Sequence, residues 1–110
     1  MEKKTKVTFV LPEALQHDVK QQLVKEGYSL KDKSRWISEA IESLFSIENY
    51  HHLVKLNDQM RGFEKPESVV IEESLKQRIN EAILTIRRQY PELEGVQSRI
   101  MRTAIVQRLL

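Results

Sequence analysis

Residues 4–13 of the chain read KTKVTFVLPE, and the prediction of the fold starts from this segment. Its apolar side chains at every second position share one face: Val7, Phe9 and Leu11. The opposite face carries Lys6, Thr8 and Val10. This two-residue period is typical of a β-strand with one buried and one solvated side. Pro12 suits the first turn of a helix, where its missing N–H costs nothing, so the strand is predicted to lead directly into a helix.

Two helices are predicted after this strand. The first has apolar residues at helical spacing, namely Leu15, Val19 and Leu23, and Gly27 is expected to end it. The second is predicted to begin at Ser34, a residue type that favours the N-cap, and its apolar side carries Trp36, Ile37, Ala40, Ile41, Leu44 and Phe45.

The same pattern returns later in the chain. Residues 69–75, VVIEESL, align with residues 9–15, FVLPEAL, at an offset of 60, and residues 98–101, SRIM, align with SRWI at 34–37 at an offset of 64. The second copy predicts a strand near Glu67 to Ile71, a helix from about Glu72 to Gln89 and a helix from Gln97 to the end. Its arginines predict a solvated helix face or, alternatively, additional phosphate contacts: Arg87, Arg88, Arg102 and Arg108.

A connector of about 20 residues, 46–65, joins the copies, and a chain of that length can cross a compact domain and bring the second strand beside the first. Its apolar residues have roughly helical spacing: Ile47, Tyr50, Leu53, Val54, Leu56 and Met60. Gly62 is expected to cap a helix ending near Arg61. We therefore predict one compact domain, 1–110, made of a first repeat 3–45, the connector 46–65 and a second repeat 66–110. Its fold class is mainly α with a short two-stranded antiparallel ribbon.

Composition excludes several classes of protein. The chain has 110 residues, 18 Lys and Arg against 16 Asp and Glu, and no Cys. The absence of Cys rules out disulfides, a Cys-ligated zinc site and thiol catalysis, and it fits a reducing compartment. No apolar run approaches the roughly 20 residues that a membrane span needs. We expect a cytoplasmic protein without a membrane partner.

The motifs of common enzymes are missing from the sequence. It contains no Gly-rich phosphate loop, no His-Glu-x-x-His and no nucleophile with an identifiable base. His51 and His52 are adjacent, so on a helix they would point about 100° apart and could not chelate one metal together. We therefore expect no catalytic residue, no metal, no cofactor and no enzymatic activity.

An antiparallel pairing of the two strands would leave one face of the ribbon open. A two-stranded ribbon fits the DNA major groove, which is about 12 Å wide. The candidates for reading bases on that face are Lys6, Thr8, Val10, Ser68 and Val70. The candidates for binding phosphate, near the strand start and the second helix of each copy, are Lys3, Lys4, Lys33, Ser34, Arg35, Ser98 and Arg99. The alternative interpretation of Lys6 and Thr8 is an ordinary solvated strand face.

Three segments of the first copy carry a family resemblance: KVTFVLPE at 6–13, GYS at 27–29 and SRWISEAI at 34–41. The chain resembles the ribbon-helix-helix DNA-binding family, of the MetJ, Arc and CopG type. The second copy matches in its helices but has Pro66 and Glu67 at the positions of Lys6 and Val7. The resemblance implies that alternate strand residues enter the major groove and that the start of the second helix binds phosphate. It places these roles on the strand residues named above and on Ser34 and Arg35.

Most family members build the ribbon from two identical chains, whereas this chain looks like a fused pair, as in some conjugative-plasmid relaxosome proteins of the TraY kind. The leading hypothesis is a sequence-specific double-stranded DNA-binding protein that acts as a transcriptional repressor or autoregulator of a plasmid or mobile element. Because the two strands differ, its preferred site should be non-palindromic. Several monomers could line up on adjacent sites.

Two alternatives remain open. The first is an accessory factor that binds a transfer origin or partition site, with a relaxase as its partner. The second is an antitoxin or protein-interaction module that captures a toxin or relaxase through the connector.

Overall fold

The computed structural model describes residues 3–57 and 64–110. The predicted connector residues Met60, Arg61 and Gly62 lie outside these ranges. The elements, in chain order, are β1 Lys4–Pro12, α1 Glu13–Lys25, α2 Lys33–Phe45, α3 Tyr50–Leu56, β2 Glu64–Glu72, α4 Glu73–Gln89 and α5 Val96–Leu109. A short 3-10 turn, Leu30–Asp32, precedes α2. The fold is mainly helical with one two-stranded antiparallel sheet, which confirms the predicted coarse class.

The two strands form a ribbon with one buried and one open face. Val7 lies opposite Val69 and Thr8 lies opposite Ser68 at the middle of the register. The buried face consists of Val7, Phe9, Leu11, Val69 and Ile71. The period-two pattern of the sequence therefore predicted the buried face of β1 correctly.

The strand β2 is longer than predicted, because it spans Glu64–Glu72 and contains Pro66. Successive backbone N–H groups of a strand point to opposite sides, so Pro66 and Val70 share one direction. The N–H of Val70 points away from β1 and donates to Ser34 Oγ at 3.1 Å. The ring nitrogen of Pro66 thus also faces away from β1, where its missing N–H costs the ladder nothing.

The first helix ends as the sequence predicted. The N–H of Gly27 donates to Val24 O at 3.1 Å, and the N–H of Tyr28 donates to Leu23 O at 2.8 Å. Gly27 itself has a φ of +82°, the left-handed conformation that this termination motif requires. The chain is thereby turned towards α2.

The helices cover the buried face of the ribbon and share one core with it. Helices α2 and α5 pack against each other, and each also contacts a strand, α2 on β2 and α5 on β1. Trp36 is fully buried, as predicted, and so are Ile37, Ile41, Leu44, Ile79, Ile86, Ile100 and Met101. None of the helices in the described segments combines the length and apolar character that a bilayer crossing needs.

Helix α3 covers only part of the predicted connector helix. Asn49, the residue before it, has a φ of +66°, so Ile47 lies in the preceding turn rather than on the helix. Val54 is fully buried. Asn57, just after α3, donates from Nδ2 to Thr103 Oγ1 at 2.9 Å, which ties the end of the connector helix to α5.

Arg108, near the end of α5, lies in a polar cluster formed by the first half of the chain. Its guanidinium donates to Trp36 O at 2.8 Å, Glu26 Oε1 at 3.0 Å, Glu39 Oε1 at 3.2 Å and Tyr28 Oη at 3.3 Å. Arg102 is also largely enclosed, with 12% of its side chain exposed. The predicted solvated face is therefore wrong for these two arginines, because both satisfy backbone carbonyls and carboxylates of other elements; Arg87 and Arg88 are exposed.

Candidate nucleic-acid interface

The open face of the ribbon presents three cross-strand pairs. Lys6 lies opposite Val70, Thr8 opposite Ser68 and Val10 opposite Pro66. Lys6, Thr8, Val70 and Pro66 are exposed, whereas Val10 and Ser68 are half-buried. The hydroxyls of Thr8 and Ser68 are 3.3 Å apart, as expected for a pair whose N–H groups point outwards and whose side chains therefore approach closely. The five predicted base-reading residues share this face.

The outer edge of β1 is covered by the first turns of α5. Ser98 Oγ accepts a hydrogen bond from the N–H of Val10 at 3.1 Å. Gln97 Nε2 donates to Thr8 O at 2.8 Å, and Arg102 Nη1 donates to Val10 O at 3.4 Å. These contacts satisfy backbone groups that an edge strand would otherwise leave open to another chain.

The outer edge of β2 is covered in the same manner by the start of α2. Ser34 Oγ accepts from the N–H of Val70 at 3.1 Å. The N–H of Ser68 donates to Glu67 Oε1 at 3.2 Å. The starts of α2 and α5 therefore lie on opposite sides of the ribbon, next to its open face.

The predicted N-cap role of Ser34 is wrong, and the corresponding residue of the second copy, Ser98, is not an N-cap either. Helix α2 begins at Lys33 after Asp32, and α5 begins at Val96 after Gly95; neither helix has a side-chain cap. The two serines lie inside the first turn, where their hydroxyls reach a strand N–H instead of a helix N–H. The two roles use the same residue type, so local sequence could not distinguish them.

The basic residues at the start of α2 differ in availability. Lys33 Nζ is 2.6 Å from Glu67 Oε1, so its charge is already paired. Arg35 keeps 62% of its side chain exposed, 3.7 Å from Asp32 and stacked over the Tyr28 ring at 4.6 Å. Hydrogen bonds from Ser29, backbone first, hold the pKa of Asp32 below its ordinary value, so Asp32 stays charged beside Arg35. Of these two cations, Arg35 is the one free to approach a phosphate.

A groove of about 490 Å³ beside the start of α2 reaches from Lys4 past Arg35 to Val70. Its lining carries charges of both signs. The basic residues are Lys4, Lys31 and Arg35, and the acidic residues are Asp32, Glu39, Glu42 and Glu72. Attraction of an anion to this flank therefore depends on the positions of the cations and not on net charge.

The start of α5 carries two neighbouring guanidinium groups. Arg99 Nε donates to Glu94 O at 3.2 Å, while Arg102 Nη1 is 3.6 Å from Glu64 Oε1. Burial lowers the pKa of the Arg102 guanidinium. The carboxylate of Glu64 opposes this shift, whereas the positive charge of Arg99 lowers the pKa further. Arg99 Nη1 and Arg102 Nε are buried without a hydrogen-bond partner among the described residues. The two guanidinium groups thus make this flank positive, but they already contact Glu94, Val10 and Glu64.

The lysines at the start of β1 are placed differently. Lys3 and Lys4 are exposed, and the backbone carbonyl of Lys3 accepts from the N–H of Glu73 at 2.9 Å. Lys4 lies opposite Glu72 at the end of the ribbon. Neither Lys4 nor Lys6 forms an ion pair within residues 3–57 and 64–110.

Three residues that sequence patterns did not identify also position the ribbon, namely Gln97, Arg102 and Glu67. One signal was present for Arg102, because it lies four residues after Ser98 and hence on the same helix face. Glu67 gave no such signal, since its carboxylate bonds the next residue and a lysine from another element.

The described residues contain no group of three or more His, Asp or Glu side chains arranged to hold a metal ion. Comparison of the chain with models of known protein families, with curated proteins and with solved structures gives no match.

Proposed function

We propose that this protein binds double-stranded DNA sequence-specifically by inserting the open face of the β1–β2 ribbon into the major groove. The observation that carries the proposal is the row of exposed and half-buried side chains on that face, in which Lys6, Thr8 and Ser68 supply hydrogen-bonding groups and the valines supply methyl groups. The ribbon is narrow enough for the groove, and its other face and both edges are already occupied by helices.

We also propose that the chain is a tandem ribbon-helix-helix pair in which two repeats form one pseudo-dimer. Reciprocal contacts support this: Val10 donates to Ser98 while Val70 donates to Ser34. These donors are 60 residues apart and these acceptors 64 apart, which are the two offsets of the sequence repeat. Thr8 also lies directly opposite Ser68, the residue 60 positions later.

The flanks of the ribbon provide the expected phosphate contacts. Arg35, Lys3 and Lys4 are exposed near one end, and Arg99 lies at the start of α5 near the other. The N-terminal ends of α2 and α5 add positive dipole ends that favour an anion. Lys33, Ser34 and Ser98 act in this proposal as positioning residues, because their polar atoms already hold Glu67, Val70 and Val10.

The cellular role that we propose is transcriptional repression or autoregulation on a plasmid or mobile element. A protein that occupies the major groove of an operator blocks other proteins from the same DNA. This role is supported by the family resemblance of residues 6–13 and 34–41. It is tested by locating the natural site: a promoter supports it, whereas a site beside a nicking sequence supports the accessory role in conjugative transfer.

Titration of labelled duplexes, first selected from a random library, tests DNA binding itself. The double variant Lys6→Ala with Thr8→Ala should lower specific affinity by roughly tenfold or more, since each base contact is worth about 1–3 kcal/mol. The matched control, Lys25→Ala with Thr85→Ala, removes the same residue types from α1 and α4 and should leave affinity unchanged. Unchanged specific binding by the ribbon variant would refute the proposal.

Salt dependence gives a second measure on the same samples. If several phosphates are contacted, the logarithm of the affinity falls linearly with the logarithm of salt concentration, with a slope of roughly −0.9 per contact. Arg35→Ala should make the slope less steep by about one contact and should affect specific and nonspecific duplexes alike.

A further inference from the structure

The open face of the ribbon has two chemically different ends. At one end Lys6 lies opposite Val70, and at the other end Val10 lies opposite Pro66. Lys6 is exposed and carries an ammonium donor, whereas neither Val10 nor Pro66 has a polar side-chain atom. In the central pair the two strands are chemically similar, because Thr8 and Ser68 both carry a hydroxyl group. Of these two outer pairs, therefore, the pair of Lys6 and Val70 can donate a side-chain hydrogen bond to a base, through Lys6, whereas Val10 and Pro66 cannot.

The surroundings of the two ends strengthen this difference. Near Val10 and Pro66, Arg102 lies 3.6 Å from Glu64 and Lys65 lies 3.1 Å from Glu13, so both of these cations are paired, whereas Arg99 lies beside the ribbon at the start of α5. Near Lys6, the neighbouring Lys4 forms no ion pair in the part of the chain that the structure describes, even though Glu72 is its register partner. Positive charge on the open face is thus concentrated at the Lys6 end.

We infer that the DNA site read by this ribbon is directional, with a guanine under Lys6 at one end and a thymine under Val10 at the other. Lysine donates to O6 and N7 of guanine, and the C5-methyl of thymine is the apolar group of the major groove. A guanine under Val10 and Pro66 would lose water from its acceptors without gaining a donor, which is unfavourable. The inference rests on the proposed function and adds the bases and their orientation.

The separation of the two contacts follows from strand geometry. Four residues at about 3.3 Å each place Lys6 and Val10 about 13 Å apart along the strand. A base-pair step rises about 3.4 Å along the DNA axis, and a ribbon lying in the groove is inclined to that axis, so this distance corresponds to at most about four base-pair steps. The guanine and the thymine should therefore be separated by no more than about four steps in the selected site.

Base analogues test the two ends separately on a duplex selected from a random library. Replacing the guanine by 7-deazaguanine removes the N7 acceptor but leaves O6, so about half of the bidentate contact is lost and binding should weaken roughly 2- to 12-fold. Replacing the thymine by deoxyuridine removes only its methyl group and should weaken binding roughly fourfold. In the Lys6→Ala variant the guanine analogue should have no effect, while the thymine analogue should keep its effect.

Val10→Thr provides the complementary variant. Threonine has the shape of valine and favours strands, so the ribbon should be retained while one methyl is exchanged for a hydroxyl. This variant should lose part of its sensitivity to deoxyuridine, because one of the two methyl groups remains, and it should keep its full sensitivity to 7-deazaguanine. Loss of sensitivity at both ends in either single variant would overturn the directional reading.

Pro66→Lys tests the same idea by a gain rather than a loss. The nitrogen of Pro66 faces away from β1, so a lysine fits the strand without disturbing the ladder. The variant should acquire a preference for guanine at the second end and should select a more symmetric site. A symmetric site selected by the wild-type protein would refute directionality but leave DNA binding intact. Absence of specific binding to any duplex would refute the proposed function itself.

Discussion

Single hydroxyl groups decide how the ribbon is joined to the helices. Ser34 and Ser98 each accept one hydrogen bond from a strand N–H, at 3.1 Å in both cases. A buried N–H without an acceptor is costly, whereas an exposed one can bond water. The two serines are chemically equal but differ in environment, since the Val10 contact is partly buried and the Val70 contact is exposed.

Ser98→Ala should therefore destabilise the protein more than Ser34→Ala. We expect a loss of about 1–2 kcal/mol of unfolding free energy for Ser98→Ala, because the N–H of Val10 stays enclosed without an acceptor. Ser34→Ala should cost less than about 1 kcal/mol, since water replaces the hydroxyl. Urea unfolding of both variants measures the difference, and equal losses would contradict this account.

Among the secondary-structure elements, β1 and β2 are both edge strands, because each has only the other as a neighbour in the sheet. Such a ribbon is marginal in water by itself, so it depends on the helices that cover one face and both edges. Pro66 is tolerated in β2 because β2 is an edge strand, and an N–H at this position would point away from β1 and take no part in the ladder. The open face, with Lys6, Thr8, Pro66 and Val70 exposed, is the face of the ribbon that the described helices leave uncovered.

The turn that ends α1 aims the chain at α2, and Gly27 should be important for it. Gly27→Ala should cost about 1 kcal/mol of unfolding free energy, because a Cβ is strained in the left-handed conformation. No atom lies within 4 Å of the position that this Cβ would take, so the strain is conformational and not steric crowding by neighbours. Gly27→Asn should cost less, since asparagine tolerates that conformation. Thermal and urea unfolding can rank the three proteins, and an equal stability of the alanine variant would contradict the assignment.

At the scale of the whole molecule, Arg108 joins the end of the chain to its first half. It contacts Glu26, Tyr28, Trp36 and Glu39 through hydrogen bonds and lies 4.5 Å from the centre of the Trp36 ring. Trp36 Nε1 in turn donates to Glu26 Oε2 at 2.8 Å. The cluster locks α5 against α2 and thereby helps to set the two helix starts on either side of the ribbon.

Arg108→Lys should destabilise the fold although it keeps the charge. An ammonium group cannot reproduce the fork of donors that reaches several acceptors at once. We expect a loss of about 2 kcal/mol in unfolding free energy, the value of one or two hydrogen bonds that involve charged groups. The control Arg87→Lys, on the exposed side of α4, should change stability by less than about 0.5 kcal/mol. Similar losses in the two variants would contradict the role of the cluster.

The same cluster predicts a dependence of stability on pH. A hydrogen bond from Trp36, helped by Arg108, lowers the pKa of Glu26 below its ordinary 4.5, and a hydrogen bond from Tyr28, again helped by Arg108, lowers the pKa of Glu39. The carboxylates therefore stabilise the fold fully above pH 4.5, and this contribution is lost as the pH falls through their lower folded pKa values.

Glu26→Gln tests this pH dependence. The difference in unfolding free energy between wild type and variant should be largest near neutral pH and should shrink below pH 4.5, where the wild-type carboxylate takes up its proton. Glu48→Gln, at an exposed position outside the cluster, is the control. A difference that stays constant from neutral pH into the acid range would argue against a charged Glu26 in the cluster.

The local elements could be predicted because their signals are local. Alternation at Val7, Phe9 and Leu11 identified the buried face of β1, and Gly27 identified the end of α1, since each depends on backbone geometry over a few residues. The start of α2 was misplaced by one residue because a serine at a helix start serves as a cap or as a partner for another element.

Sequence patterns were sufficient to predict the order of strand and helices, the buried face of β1 and the position of Lys6 and Thr8 on the opposite face. Other contacts became known only from the packed fold: Ser34 and Ser98 accept hydrogen bonds from strand edges, Lys33 pairs with Glu67, and Arg102 and Arg108 are enclosed. These contacts join residues separated by 34 to 92 positions. Such a contact depends on the register of two strands and the packing of two helices, which form only when the whole chain closes around its core.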